Sequence, residues 1–420
     1  MSFADLGLNP ELQRAVAESG YTQPTPIQMQ AIPVILAGLD VMGGAQTGTG
    51  KTAGFTLPLL QRLAPHASTS TSPARHPVRA LILAPTRELA VQVHESVKTY
   101  SKYVPLRSAC IYGGVDMRAQ VAELRTGIEI VVATPGRLLD HVQQKTIQLG
   151  QVEVLVLDEA DRMLDMGFIP DIKRILELLP SARQSLLFSA TFSDEIKRLA
   201  DQMLKNPQLI EVARRNMVSE TITHRVHPVS SGLKRNLLAQ LLRNQPDTQA
   251  LIFVDTKLLC GRLAHFLVRH EIAADAIHGD KGQAQRSDTL EAFKSGRLRV
   301  LVATDVAARG LDIDDLPMVI NYELPHTAED YVHRIGRTGR AGRTGYAVSL
   351  VSSEEKSRLA EIEKLIKLQI PQEIVPGFAP EPDYFEAGTH KKRSHRPESF
   401  DTPEPRRESR REQRGDPGAR

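Results

Sequence analysis

The sequence contains few cysteines, few aromatic residues and no long apolar run. Its two cysteines, Cys110 and Cys260, lie far apart without metal-ligand spacing, so we expect a reducing compartment and neither a zinc site nor a disulfide framework. Aromatic residues make up 5% of the chain and tryptophan is absent, which argues against an extensive stacking surface. No run approaches the roughly 18 apolar residues that cross a bilayer, and the N-terminus lacks a basic leader. We therefore expect a cytoplasmic protein without a membrane partner.

Neither sign of charge predominates in the chain. The formal net charge is +3, and residues 391–420 hold ten Lys or Arg against six Asp or Glu, so the rest of the chain is close to neutral. Residues 376–420 are rich in Pro, Glu, Arg and Ser, which predicts a disordered basic tail. Two roles stay open for this tail: a nonspecific tether for nucleic acid, or a segment that only improves solubility.

Short apolar runs alternate with amphipathic stretches, which predicts βαβ units and parallel sheets. A polar connection at 213–220 divides the pattern into a first lobe, 1–212, and a second lobe, 221–375. The run at 64–77 has too little apolar content to pack, so we expect a mobile surface loop there. The predicted strands are 80–85, 129–134, 152–158, 185–191, 250–256, 300–305, 318–323 and 346–351, and 88–103 is a predicted helix.

The segment AQTGTGKT, residues 45–52, is typical of a phosphate-binding turn before a helix. Glycines allow backbone N–H groups to approach a phosphate chain, Lys51 would reach the β and γ phosphates, and the Thr52 hydroxyl would bind Mg²⁺. Ala45 departs from the generic motif, which has Gly at this position. The alternative is a plain Gly-rich turn. The predicted phosphate-site residues are Ala45, Gln46, Thr47, Gly48, Thr49, Gly50, Lys51 and Thr52.

Three carboxylates, Asp158, Glu159 and Asp161, follow the apolar run at 152–157. Like charges this close repel, so they require a cation, a helix N-terminus or a reaction to stabilise them. Beside a bound nucleotide, Asp158 would hold Mg²⁺ together with Thr52, Glu159 would polarise the attacking water, and Asp161 would fix geometry. Alternatively, the acids only begin a helix, where they favour the positive end of its dipole.

Taken together, these motifs resemble the DEAD-box RNA helicases of superfamily two. The literal Asp-Glu-Ala-Asp of 158–161 is joined, in the order of that family, by PTRELA (85–90), GG (113–114), TPGR (134–137), SAT (189–191), QAQR (283–286), ATDVAARGLDI (303–313) and HRIGRTGR (333–340). The resemblance covers about residues 1–370, and the compact second lobe is most similar to the bacterial RhlE-type branch. It implies an α/β fold of two tandem RecA-like lobes.

The resemblance also implies an ATP site shared between the two lobes. An adenine-reading segment, 1–29, would contribute Gln23 and Gln28 of GYTQPTPIQ, with Phe3 stacked on the base. From the second lobe, Arg337 and Arg340 would reach the γ phosphate as catalytic arginines beside Glu159, and Asp312 would meet the ribose. In isolation, three arginines as close as Arg334, Arg337 and Arg340 are normally a solvated face or a salt-bridge cluster. The residues expected to couple the lobes are Asp161, Ser189, Thr191 and His333; Ser189 and Thr191 could instead only cap a helix.

RNA is the partner that the resemblance implies, held through sugar and phosphate without sequence preference and distinguished from DNA by its 2′-OH. Turn chemistry alone is the alternative for the glycines. The expected contacts are Pro85, Thr86, Arg87, Gly113, Gly114, Thr134, Pro135, Gly136 and Arg137 in the first lobe, with Arg286 and Thr304 in the second.

The function that these expectations favour is an RNA-dependent ATPase, with Mg²⁺ as cofactor, that unwinds short RNA duplexes or remodels RNA–protein complexes. An ATP-gated RNA clamp with slow turnover is the alternative, and a DNA translocase is disfavoured by the adenine-reading segment and the DEAD quartet. We expect a monomer, with ribosomal particles or RNA-decay proteins left open as partners.

Overall fold

A computed structural model of the chain describes residues 2–44, 49–211, 221–308, 311, 313, 315–339 and 343–385. They form two parallel sheets, one of seven strands and one of six, each flanked by helices. The predicted fold class, two RecA-like α/β lobes, is confirmed. The predicted linker at 213–220 and the tail from 386 onward lie outside the described residues.

The first lobe is built on a sheet with the strand order β3-β4-β2-β5-β6-β1-β7. Its strands are β1 (Val41–Gly44), β2 (Ala80–Leu83), β3 (Ser108–Ile111), β4 (Ile130–Ala133), β5 (Val154–Leu157), β6 (Gln184–Ser189) and β7 (Gln208–Glu211). The flanking helices are α1 (Pro10–Glu18), α2 (Pro26–Leu36), α3 (Lys51–Leu63), α4 (Arg87–Tyr100), α5 (Met117–Leu124), α6 (Pro135–Gln143), α7 (Ala160–Asp165), α8 (Ile169–Glu177) and α9 (Asp194–Met203).

The second lobe has the strand order β10-β11-β9-β12-β13-β8. Its strands are β8 (Ile222–Pro228), β9 (Ala250–Val254), β10 (Ala274–Ile277), β11 (Val300–Thr304), β12 (Met318–Asn321) and β13 (Gly345–Val351). The helices are α10 (Lys234–Arg243), α11 (Lys257–Arg269), α12 (Gln283–Lys294), α13 (Asp305–Ala308), α14 (Ala328–Ile335) and α15 (Lys356–Ile366). None of the helices in the described ranges is both long and apolar enough to cross a membrane.

Burial on both faces explains the continuous apolar strands. In β2, Ala80 and Ile82 belong to the core on one face of the first sheet, whereas Leu81 and Leu83 belong to the core on the other. A strand covered by helices on both sides needs apolar residues at every position, as β4 and β5 also have. All eight predicted strands are present. Because parallel strands end at the same edge, the loops after them gather the motif residues there.

The segment at 64–77, a predicted mobile surface loop, is held at its C-terminal end by buried contacts to the first lobe. His76 is buried, its Nδ1 contacts Oε1 of Glu129, and its Nε2 lies 2.8 Å from the Ser70 carbonyl oxygen. Arg107 donates to the same carbonyl at 2.6 Å. A buried histidine–carboxylate contact and the hydrogen bonds around it therefore hold a polar segment that has little apolar surface of its own.

Ordered packing continues beyond the predicted start of the tail at 376. Ser231 N–H donates to the Glu381 carboxylate at 3.0 Å, and Lys356 Nζ donates to the Tyr384 carbonyl. Tyr384 is buried in the core of the second lobe beside β8 and α15. The boundary at 376 is therefore wrong for residues 376–385, because one aromatic side chain buries enough apolar surface to hold a polar segment in place.

The second lobe contains a buried histidine that makes stability depend on pH. His224 on β8 has its Nδ1 2.9 Å from the Tyr331 hydroxyl, and burial lowers the pKa of this imidazole to about 4. Between pH 6.5 and 4 the unfolded histidine binds a proton and the folded one does not, so stability falls as the pH falls through this window. The loss should reach about 3 kcal/mol.

Urea unfolding of the wild type and of His224→Gln, repeated from pH 7.5 to 4, measures this effect. The variant keeps a polar side chain that stays neutral over the whole range, so its stability should fall less steeply with pH. Parallel curves for the two proteins would mean that His224 does not contribute to the pH dependence.

Candidate functional site

The phosphate-binding turn lies between β1 and α3. Gly50 caps α3 with φ +87°, and a Cβ added there would lie 2.5 Å from Nε2 of Gln28, so this position requires glycine. Lys51 is the first helical residue and is 6% exposed. Its Nζ donates no hydrogen bond within the described part of the chain. The predicted residues Ala45, Gln46, Thr47 and Gly48 lie outside that part.

The strand-end acids are adjacent to this turn. Asp158 follows β5, is 2% exposed, and its Oδ1 lies 3.9 Å from Nζ of Lys51. Burial raises the pKa of the Asp158 carboxyl, and the Lys51 ammonium opposes that increase. Oδ1 of Asp158 accepts no hydrogen bond from the described residues. A buried carboxylate and a buried ammonium that are this incompletely satisfied are typical of a ligand site rather than a structural pair.

Glu159 adopts the left-handed backbone conformation with φ +55°, which is rare for a residue other than glycine. Its side chain is buried, and Oε2 lies 3.4 Å from Nε of Arg162, one turn further along α7. Such strain persists only where the surrounding structure enforces it, and it occurs often at functional sites. Arg162 belongs to none of the predicted site residues, although its spacing of three residues from Glu159 places both on one helix face.

Asp161 is bound to the end of β6. Its Oδ2 accepts from Ala190 N–H at 3.1 Å and from the Thr191 hydroxyl at 3.4 Å, while Ser189 Oγ lies 3.3 Å from the Asp161 nitrogen. All of these residues belong to the first lobe. The bonds therefore join the DEAD and SAT motifs within that lobe, and a role in coupling the two lobes stays a prediction.

A cavity of about 320 Å³ lies between the two lobes. The first lobe lines it with predicted ATP-site residues, and the second lobe contributes Leu311 and Arg337. Arg337 is buried, and its Nη1 donates to the Leu311 carbonyl at 3.1 Å. The first-lobe residues of this lining that the sequence predicts are Gln23, Gln28, Gly50, Lys51, Thr52, Asp158 and Glu159. Asp312 and Arg340 lie outside the described residues.

The two residues expected to contact adenine lie in different surroundings. Phe3 does not line the cavity; it is 6% exposed and packs in the core of the first lobe with Leu6. The Gln28 amide already bonds to protein, because Oε1 accepts from Thr25 N–H at 2.9 Å and Nε2 donates to the Gly50 carbonyl at 3.0 Å. One N–H and one lone pair of that amide remain, so adenine reading by Gln28 stays a prediction.

Helix α4 forms a wall of this cavity that the sequence analysis missed. Its residues Leu89, Gln92, Ser96 and Tyr100 line the cavity. Because none of them belongs to a predicted nucleotide motif, only the position of the helix in the fold reveals them.

A second interlobe cavity, of about 410 Å³, contains most of the predicted RNA contacts. Met166, Phe168 and Val306 add an apolar edge that the sequence analysis missed. The predicted residues that line it are Pro85, Thr86, Arg87, Gly113, Thr134, Gly136, Arg137 and Arg286. Gly114 is next to it, with φ +82°, and a Cβ there would lie 2.2 Å from Nη1 of Arg87. Thr304 and Pro135 are buried and are absent from the lining.

The predicted RNA contact Arg286 and the neighbouring motif residue Arg334 both pair with carboxylates. Nη2 of Arg286 lies 2.8 Å from Oε1 of Glu88, and Gln283 donates to the same oxygen at 3.2 Å. These contacts connect α12 of the second lobe to α4 of the first. Arg334 is buried in the second lobe and binds both oxygens of Asp305, at 2.7 and 2.5 Å. For Arg334 the salt-bridge interpretation of the arginine cluster therefore applies, because this buried residue pairs with a carboxylate of its own lobe.

His333 lies at the lobe boundary. It lines a small cavity together with Arg162 of the first lobe and with Asp305, Asp330 and Arg337 of the second. His333 therefore lies between the lobes, and its role in coupling them stays a prediction. No group of three or more side chains in the described ranges forms a protein metal centre. Mg²⁺ held mainly by phosphates needs only one or two protein ligands.

This geometry defines a class of protein: a nucleotide-dependent enzyme whose site is divided between two RecA-like lobes. Comparison with known sequences makes the assignment specific. The sequence model of the DEAD/DEAH box helicase family matches residues 25–199, and that of the helicase conserved C-terminal domain matches residues 233–342. The chain belongs to the DEAD-box ATP-dependent RNA helicases, which are enzymes that hydrolyse ATP to ADP and phosphate.

Two named relatives and one solved structure agree with this family assignment. The DEAD-box ATP-dependent RNA helicase RhpA of Helicobacter pylori is 42% identical over 369 residues, covering 88% of this chain and 73% of that protein. The ATP-dependent RNA helicase DeaD of Escherichia coli K12 is 44% identical over 376 residues, covering 89% of this chain and 58% of that protein. The structure of S. cerevisiae Dbp5 bound to RNA and ADP BeF3 has a TM-score of 0.78 and 32% identity, covering 91% of this chain and 96% of that chain.

Proposed function

We propose that this chain is an RNA-dependent ATPase that separates short RNA duplexes or remodels RNA–protein complexes when ATP closes its two lobes. The observation that carries the proposal is the shared cavity, in which Lys51 and Glu159 of one lobe meet Arg337 of the other. Neither lobe alone has a complete site. ATP therefore favours the closed state through contacts that exist only there.

Each cavity residue has a role in the proposed reaction. Lys51 binds the β and γ phosphates, Glu159 orients and polarises the attacking water, and Arg337, with Arg340, stabilises the charge that develops on the γ phosphoryl group. The buried carboxylate of Asp158 and the hydroxyl of Thr52 provide the hard oxygen ligands that suit Mg²⁺. When bound, the ion would offset negative charge between the β and γ phosphates.

The lining of the second interlobe cavity supports RNA as the polymer that this chain binds. Its arginines, hydroxyls and turn backbone suit phosphate and sugar contacts rather than base stacking. The related Dbp5 structure contains RNA. Because residues of both lobes line this cavity too, RNA also favours closure, and each ligand must strengthen binding of the other. The RhlE-type branch, the monomeric state, cytoplasmic residence, and ribosomal or RNA-decay partners remain predictions from the sequence.

A multiple-turnover strand-displacement assay tests the proposal. With ATP and Mg²⁺, the chain should release one strand of a short labelled RNA duplex, and RNA should stimulate phosphate release. The Glu159→Gln variant serves as the control, because it keeps the size of the side chain, binds both ligands and should not turn over. A single slow turnover without displacement would support the ATP-gated clamp instead. Stimulation by DNA that equals stimulation by RNA would contradict RNA specificity.

A further inference from the structure

Arg137, one of the proposed RNA contacts, is held in a fixed orientation by the first lobe. Its Nη1 and Nη2 donate to the Val115 carbonyl at 3.2 and 3.1 Å, and Nη1 also donates to Oε1 of Gln120 at 3.1 Å. Nε lies 3.6 Å from the Asp140 carboxylate. An arginine on the surface normally samples many rotamers, so these contacts reduce the entropy that is lost when it binds a phosphate.

Gln120 on α5 is the side chain that joins these parts. It is 6% exposed, and its Oε1 also lies 3.1 Å from Nε2 of His141 on α6. Its Nε2 donates to the Tyr112 carbonyl at 3.0 Å, immediately before the turn at Gly113. One buried amide thus contacts the GG turn, the TPGR arginine and helix α6. No motif of the family resemblance includes Gln120.

The donors around this amide fix its orientation. A guanidinium has only donors, so the Gln120 atom next to Arg137 must be the oxygen, and the nitrogen must then face the Tyr112 carbonyl. His141 is fully buried, and its Nδ1 lies 2.8 Å from the Thr146 hydroxyl. Burial lowers the pKa of His141, and Arg137 adds to that decrease. Because the Gln120 atom that faces Nε2 is an acceptor, a neutral His141 imidazole must carry its single N–H at Nε2, and Nδ1 then accepts from the Thr146 hydroxyl.

We infer that Gln120 is a positioning residue for RNA: its amide oxygen, oriented by the bond from its nitrogen to the Tyr112 carbonyl, holds Arg137 toward the phosphate backbone. This inference rests on the proposed function, since it requires that Arg137 contacts RNA. His141 supports the amide from the opposite side. A purely structural role for Gln120 would instead predict lost stability without a specific effect on the Arg137 contact.

A double-mutant cycle on RNA affinity tests the inference. The variants are Gln120→Leu, Arg137→Ala and the double variant, and the measurement is fluorescence anisotropy of a labelled oligouridine with a nonhydrolysable ATP analogue at several salt concentrations. Gln120→Leu should weaken RNA binding roughly tenfold. Combined with Arg137→Ala, it should cause no further loss, because both changes remove the same contact. Each single variant should lower the salt slope by about 0.7, the value for one phosphate on a single strand.

Gln184→Leu provides the matched control. Gln184 is also a buried glutamine of the first lobe, 5% exposed, whose Nε2 donates to the carbonyls of Ile35 at 3.0 Å and Leu39 at 2.6 Å. It lines neither cavity, so its replacement should lower thermal stability and leave RNA affinity unchanged. Gln120→Glu is a second variant that keeps an oxygen facing Arg137. It loses only the N–H donated to the Tyr112 carbonyl, so RNA affinity should keep its dependence on Arg137 and its wild-type salt slope even where Gln120→Leu folds poorly.

The outcomes separate the two proposals. If Arg137→Ala leaves affinity and salt slope unchanged, the RNA contact itself is absent and that part of the proposed function fails. If Arg137→Ala weakens binding and Gln120→Leu does not, only the positioning role fails. Additive losses in the double variant, or an equal loss of RNA affinity in Gln184→Leu, would also overturn that role.

Discussion

Replacement of Arg337 by alanine should lower kcat for RNA-stimulated ATP hydrolysis by roughly 10³ to 10⁵. Arg337 is buried in the cavity that it shares with Lys51 and Glu159, and it is the described cationic side chain that the second lobe supplies there. A cation aimed at the γ phosphoryl group acts mainly on the transition state, so ATP affinity should change far less than kcat. Steady-state hydrolysis with saturating RNA, together with ATP titration, separates the two quantities.

Two variants make this experiment specific. Arg337→Lys keeps the charge but loses the planar fork of donors, so it should restore little of the rate. Arg343→Ala, in the same part of the second lobe, removes an arginine whose side chain is 76% exposed and pairs with Asp315 at 2.8 Å. That control should hydrolyse ATP at the wild-type rate. If Arg337→Ala stays within threefold of wild type, hydrolysis does not depend on this arginine.

Replacement of Lys51 by alanine should abolish measurable ATP binding, with Kd rising roughly 100-fold or more. The Lys51 ammonium is buried and donates no hydrogen bond among the described residues, and its nearest carboxylate oxygen is 3.9 Å away. The β and γ phosphates would supply the missing acceptors. Equilibrium binding of a fluorescent ATP analogue measures the effect.

Lys234 offers a matched comparison in the second lobe. This lysine is equally buried, but its Nζ donates to the Tyr322 carbonyl at 2.9 Å and pairs with Glu355. Lys234→Met should therefore reduce stability, since it leaves a buried carboxylate without its cation, and should not change ATP affinity. ATP binding by Lys51→Ala at wild-type affinity would refute the phosphate assignment.

The sequence predicts well those features that depend on local pattern. Strands such as β5 are recognisable because burial on both faces requires continuous apolar residues, and the acids after β5 follow from the strand end. Strand β1 was missed because two of its four residues are glycine, and β8 because ITHRVHP contains few apolar residues. Neither pattern gives a continuous apolar run.

Features that depend on distant partners were not predictable in this way. The polar segment at 64–77 is fixed by His76 and Glu129, which are 53 residues apart, and no local pattern indicates that pairing. The same holds for Arg286, whose partner Glu88 belongs to the other lobe. Phe3 illustrates a third case. An aromatic residue near a nucleotide motif can stack on a base or pack in the core, and the sequence alone does not choose between them; in the structure Phe3 packs in the core.

Helix α4 has a consequence for how the two ligands sense one another. At its first turn, Arg87 and Glu88 line the second interlobe cavity, which we propose for RNA. Further along the same helix, Gln92, Ser96 and Tyr100 line the cavity that we propose for ATP. The helix has 14 residues and spans about 20 Å, so one continuous helix lines both cavities. A small tilt of this helix would alter the affinities for RNA and for ATP together. Coupling between the two ligands would then require no relay of side chains through the interior of the lobe.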